Sequence, residues 1–506
     1  MKHVLLAIIV GACLASIALA QAPTAPRPLQ NPPQQQQSPP APNPLQQTPL
    51  QANRPANANH PPTKPAPSVN RAPTPTAVKP LPPGMSATLI QHGHVYTVGP
   101  LGTLNNADVL IEGGNIVQVG PGLTPPDGAK IVDAKGRPVT PGLMASFTQL
   151  GIVEISLGAS GSDDSGPGLD ASRFDGDTAA PKLGETPASA AFDVTDAINP
   201  DSTLIPIARI AGVTRSLTAP ATGSGVFRGQ AAVIDLGNGP NLIDKPQAGM
   251  VVDLSTGSGQ TSRPTLWAEF RETLDDAREY WADRAGYHRP GGARDQRTAR
   301  IDLDALEPVI HGREPLIVNV DRASDIRQVL QYCQTNKLKL VILSGLEAWK
   351  VGRGLAQAQV PVVIDNDLNL PFTFSDLGAT LRNAARLDAA GVTVVFQPQN
   401  DDPAHYARTV TQIAGNAVAN GMRWDHALAA ITRNPAQVWG IADAYGTLEP
   451  GKDADVVIWD GDPLNVTSAP TAVFIRGQNI PLVSRQTKLR DRYRDLKRKN
   501  PPFAYR

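Results

Sequence analysis

Apolar and polar positions along the chain fall into three regimes. Residues 87–98 (ATLIQHGHVYTV) alternate and are rich in β-branched side chains. Residues 107–119 (ADVLIEGGNIVQV) alternate on both sides of Gly113-Gly114, and residues 130–140 (KIVDAKGRPVT) repeat the pattern. A period of two lines up alternate side chains on one face of a strand, and a Gly-Gly pair between two such runs marks a tight hairpin. The first regime is therefore a set of short antiparallel strands. From Pro141 onward, short apolar runs alternate with segments of helical period. The predicted strands are 150–156, 203–218, 231–236, 315–320, 339–344, 361–365 and 391–396. The predicted helices are 264–285, 322–336, 346–358, 376–390, 404–420 and 424–437, with long loops at 157–190 and 284–300. Such alternation implies a parallel sheet with crossover helices, and its count and length suit a closed (β/α)8 TIM barrel better than an open sheet. After Ile441 antiparallel-type strands return at 446–460 and 472–482. The chain is thus read as an α/β protein. A barrel over 141–441 stands beside a composite β-sandwich that the flanks 86–140 and 442–485 build together.

Composition changes the picture mainly at the N-terminus. Lys2 and His3 precede an apolar run over residues 5–19, and Ala18-Leu19-Ala20 is a small-x-small cleavage site, so residues 1–20 read as a secretory signal. Val10-Gly11-Ala12-Cys13 loosely matches a lipoprotein box, but the apolar stretch before Cys13 is very short and the run continues past it. The run is too short for a membrane span. The expectation is a periplasmic or secreted protein with no transmembrane span in its mature form. Much of the excess among the 49 prolines lies in residues 21–85, a Pro/Gln/Ala/Asn tract with too little apolar content to bury a core, which reads as a disordered tether. Of two cysteines only Cys333 follows the predicted cleavage, so the fold rests on its core rather than on an intramolecular disulfide. Charge is balanced at 46 basic and 46 acidic residues, which gives no field pointing to nucleic acid or to an acidic substrate. The tail 486–506 departs from this balance. Over 485–499, eight Lys and Arg stand against Asp491 and Asp495, with Leu489, Tyr493 and Leu496 at helical spacing. That segment reads as an amphipathic helix docked on the protein with a solvated basic face; the alternative is binding to anionic lipid or a partner.

Four stretches carry a family resemblance: 107–120 (ADVLIEGGNIVQVG), 138–151 (PVTPGLMASFTQLG), 416–441 (NAVANGMRWDHALAAITRNPAQVWGI) and 443–460 (DAYGTLEPGKDADVVIWD). With the strand–barrel–strand layout, the chain resembles the amidohydrolase superfamily, and within it the exported imidazolonepropionase-like and dipeptidase-like members. The GTLEPGKDADVV string is the most specific of the four. The resemblance implies a metal-dependent hydrolase of carbon–nitrogen bonds using zinc or another divalent ion. In such enzymes a His-x-His pair closes barrel strand 1, where i and i+2 face the axis at the C-terminal rim. Later strands add a carboxylated lysine or a carboxylate, two further histidines and a final aspartate.

Here the His-x-His positions carry Phe147 and Gln149, preceded by Ala145. Phe147 has no donor atom, and Gln149 offers a neutral amide oxygen, a poor ligand for zinc-like metals. The strand 315–320 brings Asn319 and the strand 339–344 brings Ser344 where histidines are expected. No lysine lies between Lys182 and Lys245, and the last strand offers Gln397 and Gln399, with Asp401 and Asp402 just beyond. The expectation is no metal and no cofactor, with a pocket at Phe147, Gln149, Asn319, Ser344 and Gln399. Asp401, Asp402 and His405 are candidate acid–base groups at the rim, and Asp402 also suits a helix cap. His92 and His94 read His-x-His but fall in the first sandwich strand; His288, His311 and His426 read as surface or packing residues. Three functions stay open. One is a non-catalytic or repurposed binding protein that takes a small molecule or pairs with an active amidohydrolase relative as homo- or hetero-oligomer. The others are a C–N hydrolase with displaced ligands, and an envelope-interaction protein acting through tether and tail.

Overall fold

The computed structural model describes residues 87–154, 163, 190–221, 225–255, 262–287, 298–367, 369–371, 373–398, 402–495 and 497. The predicted signal segment and tether lie outside the described residues. The first flank folds into β1 (Ala87–Tyr96), β2 (Thr103–Glu112), β3 (Asn115–Gly120), β4 (Lys130–Asp133) and β5 (Pro138–Pro141). The β2–β3 hairpin turns at Gly113 and Gly114, both at positive φ, with Glu112 opposite Asn115. Glycine is demanded twice at Gly114, because a Cβ there would also lie 3.0 Å from the Arg476 carbonyl.

The barrel strands follow: β6 (Leu143–Thr148), β7 (Val213–Thr218), β8 (Phe227–Asp235), β9 (Ile243–Asp253), β10 (Leu316–Val320), β11 (Leu340–Ser344), β12 (Val362–Ile364) and β13 (Val394–Phe396). They form one eight-stranded sheet in chain order, bent into a nearly closed TIM-type barrel. The gap between β13 and β6 is spanned by Ala430 and Ile431, whose carbonyls accept from Phe396 N (3.2 Å) and Met144 N (2.8 Å). Each strand alternates between two apolar layers. Val251, Ile317, Val363 and Val395 share the interior with Met144, Phe147 and Trp439, while Val252, Val318, Ile364 and Phe396 face the surrounding helices. Both faces are covered, which is why these strands read as unbroken apolar runs.

Three expectations about elements are corrected. The first barrel strand is Leu143–Thr148 rather than 150–156, and 203–218 divides into a short helix, Ile205–Arg209, and β7. The strand β9 went unpredicted, because Pro246 and the exposed Gln247 interrupt its alternation. Finally β8 runs antiparallel to both β7 and β9. The connections 219–226 and 236–242 are too short for a crossover, which needs a dozen residues or more. A helix therefore lies between the parallel strands β6 and β7 and helices return from β9 onward, but none intervenes between β7 and β9 among the described residues.

The closing flank supplies β14 (Val456–Trp459), β15 (Pro470–Ile475) and β16 (Gln478–Ile480). Antiparallel pairing of β14 with β5 joins both flanks into a second eight-stranded sheet with its own core, including Ile90, Val109, Ile116, Val456 and Phe474. The GTLEPGKDADVV string makes this junction. Gly446 and Gly451 turn at positive φ, Lys452 Nζ donates to Thr447 Oγ1 at 2.6 Å, and Ala454 N donates to the Gly114 carbonyl at 2.8 Å. Its two aspartates reach the barrel. Arg215 of β7, about 1% exposed, pairs with Asp453 (2.9 Å), Asp455 (2.8 Å) and Asp244 (2.6 Å). Arg476 extends the network to Asp235 (2.9 Å), Asp244 and Asp453 (3.3 Å). Burial alone would pull the Arg215 pKa down, but the carboxylates of Asp455, Asp244 and Asp235 outweigh it and hold the guanidinium charged.

Candidate ligand site at the barrel rim

Extending the inward alternation two positions past each interior apolar residue builds the upper rim. Asp253 follows Val251, Asn319 follows Ile317, Asp365 follows Val363 and Gln397 follows Val395. Asp253, Asp365 and Gln397 are buried and Asn319 half-buried. Asn319 Nδ2 donates to Asp253 Oδ1 at 3.1 Å, and the same oxygen accepts from Ser255 N at 2.9 Å. Asp365 Oδ1 accepts from Asp367 N at 3.1 Å. Gln397 is 3% exposed, and among the described residues its Oε1 has no hydrogen-bond partner.

At β6 the strand bulges. Ala145 pairs with Ser216 and Thr148 with Thr218, so Phe147 is an extra residue, at φ 58. The bulge turns its ring into the barrel interior, 3% exposed, and the strand stops before Gln149. Gln149 is buried too, with Nε2 donating to the Ala219 carbonyl at 3.4 Å. A positive φ on a bulky side chain costs on the order of 1–3 kcal/mol and persists where surrounding packing dictates it. Thr148 Oγ1 and Ser216 Oγ, 2.7 Å apart, hold the bulge from the neighbouring strand.

Ser344 ends β11, one position past the interior Leu343. Also at positive φ, it hydrogen-bonds the Asp321 carboxylate, which accepts from Leu346 N at 3.3 Å as well. Burial pushes the Asp321 pKa up to about 6 against these bonds, and the carboxylates of Asp376 and Asp253 add to the rise. Asp402 caps the turn Pro403–Tyr406, with Oδ1 accepting from His405 N at 3.2 Å. His405 lies on that turn, half-buried, its ring edge-on to Tyr406. Gln399 and Asp401 lie outside the described residues, as does His288.

The remaining imidazoles lie elsewhere. His92 sits 3.2 Å from Asp133 on the second sheet, His94 meets Tyr96 edge-on, His311 pairs with Glu307, and His426 pairs with Asp388 at 2.6 Å. Lys245 belongs to the lower half of β9, where its Nζ donates to the Trp439 carbonyl at 2.8 Å. Among the described residues no group of three or more His, Cys, Asp or Glu side chains is placed to hold a metal ion. A catalytic zinc site takes three protein ligands. The rim offers amides, an aromatic ring, and carboxylates already engaged by amide and hydroxyl donors, and this set does not fit such an ion. Asp253 is the rim residue that sequence reasoning missed; its signal was the short GMVVD run, which ends as strand 1-type rims do, in a polar residue after alternating apolar ones.

A nearly closed barrel with a composite second sheet and a polar upper rim defines a TIM-barrel protein. The amidohydrolase family profile matches residues 370–484. A curated relative, "Amidohydrolase tasK" of Hapsidospora irregularis, is 24% identical over 445 residues, covering 78% of this chain and 43% of the relative. This chain therefore spans less than half the length of that protein. The crystal structure of an amidohydrolase from Thermotoga maritima MSB8 superposes with a TM-score of 0.66 at 24% identity, over 78% of this chain and 99% of that one. The chain is thus similar to amidohydrolases in sequence over residues 370–484 and in fold over most of its length.

Proposed function

We propose that this chain is an amidohydrolase-superfamily member without the metal-hydrolase centre, which uses its barrel rim to bind a small polar molecule. The observation that carries this reading is the rim inventory: Phe147, Gln149, Asn319 and Gln397 at positions that face or border the axis, with no three-ligand group among the described residues. Magnitude makes the inventory decisive. Metal coordination takes water from a pKa of about 15.7 to roughly 7. That is on the order of 12 kcal/mol of differential stabilisation. A phenyl ring and three amides supply none of it. They do supply hydrogen-bond donors and acceptors in a largely buried setting, which suits recognition of a small polar molecule. The buried, unpartnered Gln397 Oε1 favours a ligand that brings its own N–H or O–H donor.

The N-terminal pattern supports export to the periplasm or beyond, with cleavage after Ala20 and the Pro/Gln tract as a tether. The test of the main reading is elemental analysis of protein purified without chelators, followed by calorimetric titration with zinc and manganese. We expect no stoichiometric metal, no saturable binding, and no hydrolysis of dipeptides, cyclic amides or imidazolones. A tightly held equivalent of either ion, with activity removed by a chelator, would establish the displaced-ligand hydrolase instead.

A further inference from the structure

The helix Arg485–Tyr493 serves neither the rim nor the Arg215 network. A capping box starts it: Ser484 Oγ accepts from Thr487 N at 3.3 Å, and Thr487 Oγ1 accepts from Ser484 N at 2.8 Å. None of its nine residues is buried. Helices this short are marginal alone and normally draw stability from a packed face. Nor does its charge follow the balance of the chain. Arg485, Lys488, Arg490, Arg492, Arg494 and Lys497 stand against Asp491 and Asp495. Arg490, Tyr493 and Arg494, at i, i+3 and i+4, form one exposed stripe, and Arg492 stacks over the Tyr493 ring at 5.1 Å. Tyr493 is 58% exposed and Val483, just before the cap, 47%.

We propose that this helix docks the protein on a bilayer surface carrying anionic phospholipid. A stripe of guanidinium groups meets phosphate headgroups, and the exposed tyrosine within it suits the boundary between headgroup and acyl chain. A nucleic acid or an acidic protein would use the charge but not the apolar side chains. The helix neighbours Ile205–Arg209, the segment that leads into the start of β7, so it belongs to the lower end of the barrel. Docked there, the protein points its rim away from the membrane and leaves it open to solutes.

The test is co-sedimentation of the full chain with vesicles of phosphatidylcholine alone and with roughly 30% phosphatidylglycerol added. Basic residues outside the helix, such as Lys2, Arg498 and Lys499, are common to the unaltered chain and its variants, so comparing those proteins reads the helix. We expect at least tenfold stronger partition onto the anionic vesicles, lost in high salt. The variant Lys488→Gln/Arg490→Gln/Arg494→Gln should bind both vesicles equally while its melting temperature is unchanged, since none of these side chains is buried. Tyr493→Ser should weaken anionic binding severalfold and keep its salt dependence. Equal partition of the unaltered chain onto both vesicles would overturn the proposal. So would full anionic binding by the triple variant, or binding to soluble polyglutamate with no preference for anionic vesicles.

Discussion

The two ends of this barrel are built on opposite electrostatic principles. At the lower end a nearly inaccessible guanidinium, Arg215, is ringed by Asp244, Asp453 and Asp455, and Arg476 closes the circuit through Asp235. At the upper rim the buried carboxylates Asp253 and Asp365 stand among amides, and one of these, Gln397 Oε1, has no hydrogen-bond partner among the described residues. An ion-paired network tolerates little change, because removing one charge strands its partners in low dielectric. An acceptor without a partner can take a donor from outside. The contrast assigns the specific closing-strand motif to joining the barrel with the second sheet. It also explains why a strong family motif coexists with an atypical rim: motif and rim lie at different ends.

The largest expected effect therefore lies at the lower end. Arg215→Met strips buried Asp455 of its guanidinium partner and leaves Asp244 and Asp453 to Arg476 alone, and should destabilise the fold by about 3–5 kcal/mol, measured by urea unfolding at pH 7. Arg215→Lys should recover part of that loss, because a single ammonium cannot reach three acids in fork geometry. A loss under about 1 kcal/mol for Arg215→Met would break the comparison.

Glu314 marks where pairing at the lower end stops. It is 2% exposed, neither carboxylate oxygen has a hydrogen-bond partner, and it borders a cleft of about 580 Å³ with Trp281, Arg284 and Arg313. Burial, with Asp193 nearby, pushes its pKa up to about 8 from 4.5, while Lys245 opposes the rise. A carboxyl raised in the folded state stabilises fully below its unfolded pKa and loses that contribution as pH climbs through the folded one. Stability from this group should therefore fall between pH 4.5 and 8 by up to about 1.4 kcal/mol per pH unit. Glu314→Gln should flatten that slope, a change readable from urea midpoints taken at pH 5 and pH 9.

A smaller effect is expected where the interior of the barrel is tied to its first strand. The Tyr445 hydroxyl, fully enclosed, donates to the Gly142 carbonyl at 2.6 Å and lies 3.2 Å from Thr214 Oγ1. Tyr445→Phe keeps the ring and leaves that carbonyl short of a donor, which should cost about 1–2 kcal/mol in the same urea assay.

Much of this architecture was legible from residue pattern. The Gly113-Gly114 hairpin and the strands near 315–320, 339–344 and 361–365 follow from alternation and short apolar runs, as do the helices near 264–285 and 322–336. What pattern could not show was pairing direction. Apolar runs look alike whether a neighbour is parallel or antiparallel, so β8 was not recognisable as the reversed strand. A bulge is equally silent. The His-x-His comparison fixes attention on Phe147 and Gln149, but Phe147 enters the barrel through a left-handed backbone that no periodicity announces. Arg215 read as one more residue in an apolar run, because its partners are distant in sequence and meet only when both sheets form. Asp253 was missed for the same reason as its strand: Pro246 broke the run that would have pointed to it.

The smallest expected effect sharpens the comparison most. Gln397 occupies the inward position after Val395, buried, with an oxygen that has given up water for nothing. Replacing it by leucine removes that desolvated acceptor and fills similar volume with carbon. The change should shift stability by less than about 1 kcal/mol, in the stabilising direction, when read by urea unfolding. At Arg215 a change to an apolar side chain of similar length is predicted to be ruinous, so the two variants ask one question of the two ends. A loss of more than about 2 kcal/mol for Gln397→Leu would mean that the glutamine holds the rim together through its amide N–H groups, as Arg215 holds the lower end. A neutral or favourable result would mean that the amide is dispensable to the fold, and that its orphaned oxygen is kept for a donor that a bound molecule provides.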